Sequence, residues 1–120
     1  MNVFVHDSNG IQIAEMQSEG IVVRGARDAA DITRELMSRG ITKLILHERN
    51  MCPEFWQFAS GLAEQILQEF ASKAIAVAFV GKLGQEKGDS LKGLIQDSDF
   101  HTQAFFLGTV ESAKLQLSRK

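Results

Sequence analysis

The sequence predicts an α/β fold: a β-hairpin followed by αβαβαβα, forming a mixed, mainly parallel sheet covered by helices. Three observations predict it. Short β-branched runs and longer stretches with helical apolar spacing alternate along the chain, the pattern of parallel strands joined by crossover helices. An Asn9-Gly10 pair divides two apolar runs near the start, the strongest short-range signal of a hairpin. The length of 120 residues with 44% hydrophobic and 23% charged residues suits one compact core, so a single domain is expected over 1–120.

The elements follow in order. Asn2 to His6 reads as a strand with Val3 and Val5 on one face, and Asp7-Ser8-Asn9-Gly10 as the turn. Ile11 to Met16 returns as the second strand. Ile21-Val22-Val23 is either a short third strand or an extended lead-in. Ala26 to Arg39 carries Ala29, Ile32, Leu36 and Met37 at helical spacing, which predicts its buried stripe. Arg27, Asp31, Arg34 and Glu35 face outward. Gly40 stands where a left-handed residue closes a helix. Lys43 to His47 is a strand whose nearly continuous apolar run predicts cover on both faces. Pro53 suits the first turn of a short helix through Phe58. Ser60 is then placed to cap a helix from Gly61 to Ser72, with Leu62, Ile66, Leu67 and Phe70 inward. Ile75 to Val80 is a strand ending at Gly81, followed by the loop KLGQEKGDS and a helix over 90–98. Gln103 to Leu107 is the last strand. Thr109 caps a final helix, Val110 to Leu117, with Val110, Ala113 and Leu117 inward.

This order resembles the STAS fold of anti-sigma-factor antagonists, in which a serine before a glycine opens the helix after the central strand and is phosphorylated. Ser60-Gly61-Leu62 lies at the matching point, so the resemblance implies Ser60 as a regulatory phosphorylation site. Phe58 and Ala59 stand where that family has Asp and Ser, and the loop before them is longer. A resemblance over almost the whole chain is carried by LILHERNMCPEFW, SGLAEQILQEF, AIAVAFVG and SLKGLIQDSD. These segments look like an uncharacterised bacterial family, domain of unknown function 4180, which brings no activity or catalytic residue with it.

Composition bounds the function. A net charge of −2 gives no nucleic-acid footprint. The longest apolar run, Ala74 to Val80, is far below membrane-spanning length, and MNVFVHDSNG lacks the basic and apolar regions of a leader. Cys52 is the single cysteine, which excludes an intrachain disulfide and fits a reducing, cytoplasmic setting. No cofactor, metal site, nucleic acid or membrane insertion is expected.

Three groups of residues are candidate sites. Phe55, Trp56 and Phe58 crowd one loop and read either as an interaction surface or as a lid over the sheet. A self-complementary patch there would give a homodimer. His47, Glu48 and Cys52 follow the end of a parallel strand, where open α/β sheets place ligands, although their spacing fits no zinc motif. Ser60 reads either as a helix cap or as a switch, where phosphate would meet a helix N-terminus. The loop 81–90 lacks the P-loop spacing. His6 and His101 are isolated and have no assigned role. The first functional expectation is therefore a non-enzymatic regulatory or protein-interaction module using the 48–61 loop, with an unknown protein partner. The alternative is a small-molecule or nucleotide binder, with an enzyme among its variants, sited at His47, Glu48 and Cys52.

Overall fold

The structure, a computed structural model, describes residues 2–57, 61–81 and 104–118. Its elements are β1 (Val3–Ser8), β2 (Ile11–Met16), α1 (Ala26–Ser38), β3 (Lys43–His47), α2 (Leu62–Ser72), β4 (Ala76–Val80), β5 (Ala104–Leu107) and α3 (Val110–Leu117). Two short 3-10 turns, Glu48–Asn50 and Pro53–Trp56, lie between β3 and α2. The predicted helix over 90–98 lies outside the described residues.

The five strands form one sheet in the order β1-β2-β3-β4-β5. β1 and β2 are antiparallel, and every later pairing is parallel. The α/β class and the mixed sheet are as predicted. Asn9 and Gly10 both have positive φ, 55° and 79°, the backbone that a two-residue type I′ turn requires. That turn fixes the register, pairing Ser8 with Ile11 and Val3 with Met16.

Alternation along the strands divides the core. Ala14, Met16, Leu44, Leu46, Val77 and Phe79 face α1 and α2. Ile13, Ile45, Ala76, Ala78 and Val80 face α3 through Ala113 and Leu117. The result is three layers, with β3 and β4 covered on both faces. This is why their sequences are apolar throughout.

Both long helices end in the same motif. After α1, the N–H of Gly40 donates to Met37 and that of Ile41 to Leu36, with Gly40 at φ 69°. After α2, the N–H of Ala74 donates to Ala71 and that of Ile75 to Phe70, with Ala74 at φ 56°. These are Schellman closures, each followed by a buried isoleucine that pins the helix end to the core.

One detail of the predicted helices needs correction. Met37 is 55% exposed, and Thr33 takes its place on the buried stripe beside Ala29, Ile32 and Leu36. Met37 lies one residue beyond Leu36, a rotation of about 100° that turns it out of the seam. The N-cap position of α2 is Gly61, at φ 77°; the predicted cap Ser60 lies outside the described residues.

Candidate functional site

The end of β3 is held by one buried side chain. The first 3-10 turn brings Asn50, fully buried, back beneath His47. Its Oδ1 accepts the His47 N–H at 2.9 Å. Its Nδ2 donates to the carbonyls of Ser18 at 2.9 Å and Gly20 at 3.0 Å. Its own carbonyl accepts the N–H groups of Val22 and Val23. A lone parallel bridge, Val23 to Met51, and a Cys52 N–H bond to Val23 extend the contact. Asn50 thus ties the segment after β2 to the segment after β3 using both ends of its amide. A buried amide is stable only when so satisfied.

On the α3 face of the sheet, three strands bring two imidazoles to one carboxylate. Glu15 Oε1 lies 2.7 Å from His6 Nε2, and Glu15 Oε2 lies 2.7 Å from His47 Nε2. The hairpin register makes this geometry. Glu15 pairs with Phe4 and His6 with Ile13, so His6 and Glu15 are diagonal neighbours on one face. Glu15 pairs with Ile45 across β2 and β3, which leaves His47 one same-face step further along. All three side chains are less than one-fifth exposed. Burial pushes the Glu15 carboxyl up. The hydrogen bonds from His6 and His47, together with their charge, outweigh burial and hold it below its ordinary value. An ionised carboxylate only accepts, so Nε2 carries the hydrogen on both rings. Phe4 stacks edge-on against His6 at 4.7 Å and is 54% exposed.

Beside His47, at the C-terminal ends of β3 and β4, lies an open cleft of about 480 Å³. His47, Glu48 and Arg49 supply its polar groups, and Ile21, Met51, Pro53, Trp56 and Val80 its apolar walls. Gly81 forms part of the floor. A Cβ at that position would stand 2.7 Å from the Glu48 Cβ and 2.9 Å from its Oε2, so the Glu48 side chain occupies the space that glycine leaves.

A larger cleft, about 740 Å³, runs between Gln17–Glu19 and α1, lined in part by Arg24, Asp28, Asp31 and Glu35. Its acids are already paired: Asp28 with Arg24, Asp31 with Arg34, Glu35 with Arg39 and Glu19 with Arg49. Among the described residues, no group of three His, Cys, Asp or Glu side chains is arranged to hold a metal ion. No helix there is long and apolar enough to cross a membrane.

The family model described as Domain of unknown function (DUF4180) matches residues 8–117. The chain belongs to this family. Neither a curated protein nor a solved structure gives a match.

Within this DUF4180 chain the predicted site residues separate. His47 and Glu48 both line the cleft at the end of β3. Cys52 does not join them. It is buried, its Sγ faces the Arg24 carbonyl at 3.8 Å, and burial pushes its thiol up. A nucleophilic cysteine needs the opposite environment. Phe55 is also corrected as part of an interaction surface. It is fully buried, tilted against Phe79 at 5.3 Å, and Trp56 packs edge-on against it at 4.7 Å. Pro53 starts the 3-10 turn that aims Phe55 inward and leaves Trp56 half-buried on the cleft wall. Phe58, Ser60 and His101 lie outside the described residues.

His6, Glu15, Asn50 and Gly81 carry roles that the sequence reading did not assign. The Asn9-Gly10 turn was the available signal for the first two, because its register places His6 diagonal to Glu15. Nothing in the sequence pattern marks Asn50 or Gly81.

Proposed function

We propose that the protein binds a small organic ligand in the cleft at the ends of β3 and β4. His47 and Glu48 act as its polar contacts and Trp56 as part of its apolar wall. One observation carries this reading: an imidazole, a carboxylate and an indole converge on one cleft at the C-terminal edge of parallel strands. Ligand sites in open α/β sheets favour this edge, and small-molecule sites combine apolar walls with a few fixed polar groups. A volume of about 480 Å³ lies within their usual range. Two restraints support a preformed site. Glu15 fixes the His47 ring, and Asn50 fixes the backbone at His47. Preorganised groups lose less freedom when a ligand arrives.

This reading is preferred to the interaction module because the aromatic cluster is spent differently. Phe55 belongs to the core and Trp56 is half-buried, so the described part of the loop presents less apolar surface than its sequence suggests. A thermal-shift screen with a diverse small-molecule library tests the proposal. Compounds that bind should raise the Tm of the wild type and lose that effect in Trp56→Ala. A library without a stabilising compound would overturn the reading. So would compounds that stabilise both proteins equally.

A further inference from the structure

Resting on the small-ligand reading, we propose that the ligand is a small organic amine, bound as its ammonium ion with an apolar or aromatic body. Among the described charges at the cleft, one is unanswered. His47 donates through Nε2 to Glu15, so any positive charge on its ring meets a carboxylate at 2.7 Å. Arg49 turns its Nε to the Ser18 carbonyl at 3.2 Å and lies 3.5 Å from the Glu19 carboxylate. Glu48 differs from both. Among the described residues its carboxylate has no hydrogen-bond or ion partner, yet it lines the cleft and lies against Gly81 rather than extending into solvent.

The walls suit the same cation. Trp56 offers an indole, the side chain whose face attracts ammonium groups most strongly. Ile21, Met51, Pro53 and Val80 can cover an apolar body without competing for its charge. A ligand carboxylate would instead meet Glu48 with no unengaged cation among the described lining residues to offset it. The missing Cβ of Gly81 is part of this arrangement, since a side chain there would displace the Glu48 carboxylate.

Trp56 is the single tryptophan, so its fluorescence reports on the cleft alone. Three matched probes are titrated: 2-phenylethylammonium, neutral 3-phenylpropanamide and anionic 3-phenylpropanoate. The ammonium should bind roughly tenfold or more tightly than the amide, with the carboxylate weakest. In Glu48→Gln, which keeps the side-chain shape, the gap between ammonium and amide should shrink to about threefold or less. Gly81→Ala should do the same by moving Glu48, and circular dichroism should show both variants folded. Equal binding of the three probes, or tightest binding of the carboxylate, would overturn the amine assignment while leaving the cleft reading intact. An ammonium preference that survives in Glu48→Gln overturns the role of Glu48. No saturable response to any probe also overturns the inference; the cleft reading falls with it only if the thermal-shift screen is empty too.

Discussion

Two residues near the cleft, Glu15 and Asn50, should be far more sensitive than their exposed neighbours. Glu15 holds two imidazoles through separate oxygens, and a glutamine there presents one donor where an acceptor stood. Glu15→Gln should lower unfolding stability at pH 7 by about 1–3 kcal/mol in urea titrations. The pH dependence has a defined sign. Glu15 sits below its ordinary 4.5 when folded, so its contribution is complete above that value and fades as pH falls through the folded one. The stability profile of Glu15→Gln should therefore be flatter than that of the wild type on the acid side of pH 4.5. Parallel profiles through that range would contradict the assignment. Asn50→Ala strands the His47 N–H and two carbonyls beneath a buried loop. A loss of roughly 2–4 kcal/mol is expected in the same assay.

At the scale of elements, the two Schellman closures make a controlled comparison. Gly40 adopts its left-handed φ freely, whereas Ala74 holds the same conformation with a Cβ in the way. Relieving that strain exceeds the entropy that glycine adds to the unfolded chain. Ala74→Gly should thus raise stability by about 0.5–1 kcal/mol, read as a higher urea midpoint with an unchanged slope. The buried stripe of α1 gives a second comparison. Leu36→Ala opens a hole in the core and should cost about 2–5 kcal/mol. Met37→Ala changes an exposed side chain and should stay within about 0.5 kcal/mol. The sequence was legible at this scale wherever one periodicity dominated. Strand β2, strand β3 and helix α3 fall on their predicted residues, because alternation, a continuous apolar run and a threonine cap each allow one reading. Met37 departs from the predicted stripe because leucine and methionine side by side leave the centre of the stripe ambiguous. Ala74 gave no signal, since alanine is not a residue that sequence reasoning places at positive φ.

For the whole molecule, the location of the candidate cleft was legible and its lining only partly so. A polar cluster after an apolar parallel strand marks the carboxyl edge of the sheet, and His47 and Glu48 do line a cleft there. Cys52 and Phe55 look equally eligible in one dimension. The two short turns after β3 send both of them inward, a matter of backbone path that composition does not encode. The converse holds for His6 and Glu15, which reach His47 only because three strands lie side by side in register. The Asn50 staple likewise joins two loops about thirty residues apart, beyond the reach of local pattern. These long-range contacts give the cleft its fixed wall, and they make its location testable amide by amide. The most direct measurement follows backbone amide shifts by NMR while a compound that raises the Tm is added. Shifts should concentrate at Glu48, Arg49, Met51, Trp56 and Gly81; shifts confined to Gln17–Glu19 and the Asp28–Glu35 face of α1 would place binding in the other cleft and contradict the account.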